Sequence, residues 1–231
     1  MARPSTSIRS KGDTVRIQGF FRRIPESEQC PLRVLDLGLV PYEEAWEIQR
    51  KLVDQRAAGT APDTLLLLEH PPVVTRGRGT KVSPAPGLPI FEVERGGEVT
   101  LHSPGQLVGY PIVYLEPGKR DLRQFLRRLE EVLIRTLADF EIEADRREGH
   151  TGVWVGPRKI ASIGVACRRW VTYHGFALNV TNDLSLFERI RPCGFDPRIM
   201  TSMQKELGCA LSSKALRDRL GEQSRREFRV P

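Results

Sequence analysis

The stretch that most constrains the fold of this 231-residue chain is Thr64–Glu69, which contains four consecutive leucines. A strand with one face in water alternates apolar and polar side chains, whereas a strand covered on both faces is apolar throughout. The sequence His70-Pro71-Pro72 follows directly and is typical of a turn. The sequence therefore predicts a buried central strand that ends in a turn.

Four helical segments are predicted around this strand. The clearest begins after Asp121, where apolar residues recur at helical spacing through Leu137 and Gln124 stands at the capping-box position. A second helix begins after Pro41 and ends before Gly59. An amphipathic helix is predicted over residues 213–228, and a short helical segment over residues 184–190.

Further strands are predicted at residues 32–37, on both sides of residues 103–105, at 153–155 and 159–165 as a hairpin, and at 176–180. Strands and helices interleave without the regular alternation of a doubly wound fold. The sequence therefore predicts an α/β fold of the α+β type, with a mixed sheet flanked by helices. Residues 1–30 are polar and weakly periodic, which predicts a flexible N-terminal extension, and residues 31–231 then form a single domain.

Composition narrows the class of protein. The net charge of +7 and the pI near 9.5 favour acidic partners, but the basic residues are scattered in short groups, which argues against a nucleic-acid-binding arm. No apolar run approaches the roughly 20 residues of a membrane span. The four cysteines and four histidines lack the spacing of a metal site. These features predict reduced thiols, no metal, no membrane association and a cytoplasmic location, or the mitochondrial matrix in a eukaryotic source.

Cys193 is a candidate nucleophile because it stands between Pro192 and Gly194, on a turn that presents a thiol. Lys159 opens a predicted strand upstream. An ammonium near a thiol favours the thiolate, which attacks acyl groups. The alternatives are a buried structural cysteine and an exposed lysine at a hairpin, which are the commoner situations of these residues.

Residues 95–106 are rich in glycine and polar side chains between two apolar runs, so they are a candidate ligand-binding loop. The alternative is a glycine-containing hairpin with a surface arginine. A cluster of basic residues at the start of the clearest helix is either a solvated face or a docking site for an acidic partner. It consists of Lys119, Arg120, Arg123, Arg127 and Arg128.

Five segments occur in an order that resembles the lipoyl(octanoyl) transferases: EHPPVVTRG, RGGEVTLHSPGQLVGYPI, GVWVGPRKIASIGV, HGFALNV and RPCGF. The resemblance spans most of the chain. It implies the fold of the biotin and lipoate protein ligase catalytic domains. It also implies transfer of an octanoyl group from octanoyl-acyl carrier protein to a lysine of a lipoyl domain, in an oxo-acid dehydrogenase complex or in the glycine-cleavage H protein. No cofactor is implied, because the donor thioester is already activated.

The resemblance also assigns residues. It places the acyl-carrying cysteine at Cys193 and the lysine that lowers the thiol pKa at Lys159. The family's substrate-binding segments correspond to Arg95, Gly96, Gly97, Glu98, Val99, Thr100, Leu101, His102, Ser162, Ile163, Gly164, Gly175, Phe176 and Ala177. Three alternatives remain: an ATP-dependent lipoate or biotin ligase, a transferase with a different acceptor, and a basic nucleic-acid-binding module.

Overall fold

The computed structural model describes residues 7–9, 14–16, 32–80, 87–190, 196–209 and 211–228. The strands are β1 (Ser7–Arg9), β2 (Thr14–Arg16), β3 (Arg33–Leu39), β4 (Thr64–Glu69), β5 (Val73–Arg76), β6 (Ile90–Glu92), β7 (Val99–His102), β8 (Gln106–Ile112), β9 (Asp145–Arg147), β10 (His150–Val155), β11 (Arg158–Arg168) and β12 (Val171–Asn179). The α-helices are α1 (Tyr42–Ala57), α2 (Leu122–Ala138), α3 (Met203–Leu207) and α4 (Ser213–Glu227). Two 3₁₀ helices span Leu184–Arg189 and Pro197–Ile199.

Two sheets organise the described chain. The larger has seven strands in the order β3-β4-β8-β12-β11-β10-β9, and the smaller has three in the order β6-β5-β7. Strands β3 and β4 are parallel, while β4, β8, β12, β11, β10 and β9 pair in antiparallel fashion. The predicted mixed sheet is therefore confirmed. A separate antiparallel pair is formed by β1 and β2.

Strand β4 is buried on both faces, as its run of leucines predicts. Leu65 and Leu67 belong to the hydrophobic cluster that includes α2 and α4. Leu66 and Leu68 belong to the cluster on the opposite face, which includes residues of α1. Because successive side chains of a strand point to opposite faces, four leucines in a row contribute two side chains to each of the two hydrophobic clusters.

The predicted helices are confirmed. Helix α2 begins at the expected cap, where the Asp121 carboxylate accepts hydrogen bonds from the backbone N–H groups of Arg123 and Gln124. Helix α1 begins directly after Pro41. Helix α4 is capped by Ser212, and it packs on the cluster that also contains α2.

The two strands predicted on either side of residues 103–105 are confirmed as β7 and β8, which join different sheets. The structure also contains short strands that were not predicted, among them β1, β2, β6 and β9. Strand β5 was not predicted, because the prolines before it suggest only a turn. It forms because β6 pairs with its backbone on one side and β7 on the other.

Cys193 lies outside the described residues, as do most of residues 1–30. The boundary at residue 30 and the flexible extension therefore stay predictions. None of the helices in the described part of the chain is long and apolar enough to cross a membrane.

Candidate active site

A cavity of about 400 Å³ lies between the small sheet and the large one. Its walls include twelve of the fourteen predicted substrate-binding residues together with Lys159. These residues are Arg95, Gly97, Glu98, Val99, Thr100, His102, Ser162, Ile163, Gly164, Gly175, Phe176 and Ala177. Gly96 and Leu101 lie between the lining residues, and Leu101 is fully buried in a separate hydrophobic cluster.

Glycines allow the two walls of this cavity to approach each other. The backbone N–H of Gly96 donates a hydrogen bond of 2.9 Å to the carbonyl of Val165 on β11. A Cβ atom at Gly164 would lie 2.7 Å from the carbonyl oxygen of Gly96, closer than two such atoms pack. Glycine at position 164 therefore permits the contact that joins the 95–97 loop to the large sheet.

Arg95 braces this loop from within. Its side chain is buried, and Nη2 donates hydrogen bonds to the carbonyl oxygen (2.8 Å) and the hydroxyl (3.0 Å) of Thr75 on β5. Its Nη1 donates to the carbonyl of Gly96 at 3.0 Å. A buried guanidinium is stabilised by such hydrogen bonds. The alternative of a surface arginine is therefore wrong, and Arg95 holds the loop that forms one wall.

Lys159 is buried, with 5% of its surface exposed, so the alternative of an exposed hairpin lysine is also wrong. Its Nζ lies 5.4 Å from the centre of the Trp154 ring. Gly152 makes room for the side chain, since a Cβ there would lie 2.8 Å from Lys159 Cε. The Gly152 backbone, at φ +132°, also favours glycine. The fold thus holds a basic side chain at one end of the cavity.

Hydrogen bonds tie the segment after Asp196 to this end of the cavity. The Thr201 N–H donates to the carbonyl of Lys159 at 3.0 Å, and Met200 forms a bridge with Lys159. The Asn179 side chain donates to the carbonyl of Thr201 at 2.9 Å and accepts from Gln106 at 2.9 Å. The chain that follows the RPCG motif therefore lies beside Lys159.

The rings of Tyr42, His102 and Tyr110 line the cavity, and His70 packs against all three. His70 Nδ1 donates to the Val40 carbonyl at 2.7 Å, so its neutral Nε2 accepts from the Tyr110 hydroxyl at 2.8 Å. Burial lowers the pKa of His70 to about 4. Burial, and secondarily the proximity of His70, lower the pKa of His102 to about 3. At neutral pH both imidazoles are therefore uncharged, and a neutral His102 suits a wall that contacts an apolar ligand.

The far end of the cavity is formed by His174, which directly precedes the predicted substrate-binding residues 175–177 and was not counted among them. His174 is 1% exposed and has φ +54°, an uncommon conformation for any residue with a side chain. Its Nε2 lies 3.5 Å from the Glu94 carboxylate. Burial lowers the pKa of His174 to about 4, although the hydrogen bond to Glu94 opposes this.

The cavity also has lining residues that the predicted substrate-binding set does not include. They are Tyr42, Tyr110, Gly149, His150 and Thr151. They lie outside residues 95–102, 162–164 and 175–177, and the tertiary fold brings them to the cavity. The presence of His174 directly before Gly175 was the one sequence signal that pointed to this wall.

Several arginines of the predicted basic face on α2 interact with acidic or aromatic side chains of the same chain. Arg127 forms an ion pair with Glu130 at 2.8 Å, and Arg128 pairs with Glu227 at 3.1 Å. The Arg120 guanidinium stacks over the Trp170 ring at 4.7 Å. Three of its five members thus have partners within the chain, while Lys119, Arg120, Arg123 and Arg127 are all exposed.

The described cysteines differ in their surroundings. Cys167 on β11 is partly buried, and burial raises the pKa of its thiol. Cys209 is exposed. Within residues 32–80, 87–190 and the later described segments, no group of three histidine, cysteine or acidic side chains has the arrangement of a metal site.

Comparison with known proteins adds the family. A family model described as "Lipoyl protein ligase A/B catalytic domain" matches residues 41–225. The octanoyltransferase of Syntrophotalea carbinolica is 51% identical over 191 residues, which cover 82% of this chain and 90% of that protein. The chain belongs to the lipoyl(octanoyl) transferase family. An octanoyltransferase of Solibacter usitatus is 50% identical and covers 86% of this chain and 91% of its own length. As a member of this family the chain is an acyltransferase.

Solved structures confirm the fold. A lipoate-protein ligase A bound with ATP superposes with a TM-score of 0.68 at 15% identity and covers 86% of each chain. The biotin protein ligase of Aquifex aeolicus superposes with a TM-score of 0.52 at 14% identity, over 86% of this chain and 69% of that one. The predicted biotin and lipoate ligase fold of this transferase family is therefore correct.

Proposed function

We propose that this chain transfers an octanoyl group from octanoyl-acyl carrier protein to a lysine of a lipoyl domain, through a thioester on Cys193. The observation that carries the proposal is the cavity itself. It collects twelve residues of the family's substrate-binding segments around a space of about 400 Å³, with the buried Lys159 at one end. Octanoyltransferases at about half identity over most of the chain support the same reaction.

The cavity suits an acyl chain in both shape and polarity. Ile163, Phe176 and Ala177 line it, and the imidazoles of His102 and His174 beside them are neutral at neutral pH. Pockets of this kind are lined mainly by apolar groups, with a few polar groups that fix orientation. We place the acyl carbonyl at the Lys159 end and the methyl end toward His174.

Two acyl transfers complete the reaction. The Cys193 thiolate attacks the carbonyl of the donor thioester, and the carrier leaves as a thiol after it takes up a proton. The acyl group is then a thioester of Cys193. The neutral amine of the acceptor lysine attacks this thioester, forms the amide and loses a proton, and the Cys193 thiolate is released. Dividing one transfer into two thioester steps is the usual advantage of a covalent intermediate.

Lys159 serves the first step in this proposal. The covalent chain between Leu184–Arg189 and Met200 contains Cys193, and Met200 bridges to Lys159. A positive charge beside the thiol favours the thiolate. The acceptor is a lipoyl domain of an oxo-acid dehydrogenase complex or the glycine-cleavage H protein, and the reaction takes place in the cytoplasm. No docking site for the carrier is assigned to α2, because Arg127 and Arg128 are paired within the chain.

The direct test is a transfer assay with purified octanoyl-acyl carrier protein and an apo lipoyl domain. We expect octanoylation of the lipoyl domain without ATP, detected by mass spectrometry. A lipoyl domain whose acceptor lysine is replaced by arginine is the matched control and should remain unmodified. Octanoylation that requires free octanoate and ATP would instead identify an ATP-dependent ligase and refute the transferase proposal.

A further inference from the structure

A second cavity adjoins the His174 end of the acyl cavity, since His174 lines the acyl cavity and its neighbour Tyr173 lines the second one. The second has a volume of about 220 Å³ and is lined by Arg50, Val53, Asp54, Glu94, Arg168 and Tyr173. His174 lines the first cavity and Glu94 lines the second. The hydrogen bond of 3.5 Å between them therefore crosses the partition that separates the two spaces.

The position of this partition limits the length of the acyl cavity. His174 on β12 is opposite Val165 on β11, which is six residues beyond Lys159. At about 3.3 Å per residue, the run from Lys159 to this partition is roughly 20 Å. An extended octanoyl chain is about 9 Å long, from C–C bonds near 1.5 Å. By the same measure an extended hexadecanoyl chain is about 19 Å long. The cavity thus holds chains of up to about sixteen carbons, and only longer chains meet its end wall.

The His174 ring depends on Glu94 for its orientation. At neutral pH the ring is neutral and Nε2–H donates to the carboxylate, while Nδ1 is buried without a partner among the described residues. The His174 backbone is held separately, because its N–H donates to the Gln49 side chain at 2.7 Å. Removal of the Glu94 carboxylate therefore releases the ring but leaves the strand in place.

Glu94 is itself fixed in this position. Its carboxylate accepts from Arg50 at 3.4 Å, and Arg50 stacks on the Trp46 ring at 4.0 Å. Burial raises the pKa of Glu94, but hydrogen bonds from its own backbone and from His174, together with Arg50, bring that pKa below its ordinary value. The φ of +54° at His174 is an uncommon backbone conformation for a residue with a side chain, and it occurs at this wall.

We propose that the Glu94–His174 pair is the end wall of the acyl cavity and sets the upper limit of acyl chain length. This inference rests on the proposed function, because it takes the cavity to hold the acyl chain. Glu94 lies outside the substrate-binding segments predicted from the sequence. When the wall opens, a longer chain gains access to the second cavity and to the aliphatic stems of the arginines there.

The test compares the wild type with Glu94→Ala on acyl carrier protein loaded with chains of eight to twenty carbons. We expect the ratio of kcat/KM for eicosanoyl to that for octanoyl to rise about tenfold or more in the variant, since discrimination by added methylenes has this size. Glu94→Gln keeps an acceptor for Nε2–H and should shift the ratio less. Asp54→Ala is the matched control, because Asp54 also lines the second cavity and forms ion pairs with Arg168 and Arg169 but has no contact with His174.

Equal ratios in the wild type and in Glu94→Ala would overturn the proposal, as would an equal shift in Asp54→Ala. His174→Ala removes the wall directly and provides a second test if Glu94→Ala does not fold. Calorimetry with free fatty acids of the same lengths gives the affinity of the cavity for each chain length, and it does not depend on acyl transfer. If Glu94→Ala binds longer fatty acids than the wild type does, but neither protein transfers octanoyl groups, the end wall is supported and the proposed reaction is refuted. The end-wall proposal and the transferase proposal can therefore fail separately.

Discussion

Replacement of Lys159 by methionine is expected to lower octanoyl transfer about 10- to 100-fold at pH 7, because loss of the ammonium reduces the fraction of thiolate. Methionine is similar in length and fills the space beside Gly152 and Trp154, so packing is largely retained. The rate should recover as the pH rises, since the thiol then ionises unaided. The measurement is the pH–rate profile of acyl transfer between pH 6 and 10.

Lys51→Met is the control for this substitution, because Lys51 is exposed on α1 and away from the cavity. It should leave the profile unchanged. Lys159→Arg retains the charge and should keep an apparent pKa closer to that of the wild type. If Lys159→Met lowers the rate by the same factor at every pH, Lys159 does not act on the ionisation of the thiol.

Replacement of Gly175 by alanine is expected to destabilise the protein by about 3 kcal/mol or more, because overpacking against fixed atoms forces strands apart. The added Cβ would lie 2.1 Å from the Gly109 carbonyl oxygen and 2.5 Å from Pro111 Cδ, both on β8. Strands β8 and β12 are adjacent in the centre of the large sheet, so neither can move alone. The free energy of unfolding in urea measures the effect.

Gly96→Ala is the matched control, since a Cβ there meets only the Val165 carbonyl oxygen at an ordinary 3.8 Å. We expect its free energy of unfolding to stay within about 1 kcal/mol of the wild type. A Gly175→Ala protein as stable as this control would show that β8 and β12 separate easily. The close approach of the two strands would then have no role in shaping the cavity.

The sequence predicts those elements whose local pattern agrees with their tertiary role. The apolar period and Asp121 cap specify α2, and the leucine run specifies β4, because each signal is contained within one segment. The turn at residues 156–158 likewise predicts that β10 pairs with β11. These elements form the central sheet and its main helix, which is why the fold class follows from the sequence.

The rest depends on contacts between distant residues. The burial of Lys159 requires the space at Gly152, and the Tyr110 hydroxyl finds its acceptor forty residues away at His70. Glu94 and His174 are eighty residues apart, and only the closure of the small sheet over the large one joins them. Family resemblance identified the glycine-rich walls of the cavity, whereas its end wall emerged only from the three-dimensional arrangement.

The most direct test of the covalent route is intact-protein mass spectrometry after incubation with octanoyl-acyl carrier protein, on the wild type and on Cys193→Ala. The account predicts that the wild type alone gains the mass of one octanoyl group and that an apo lipoyl domain removes it. Transfer to the lipoyl domain that proceeds in Cys193→Ala at the wild-type rate, or without any acylated enzyme, would contradict a thioester on Cys193.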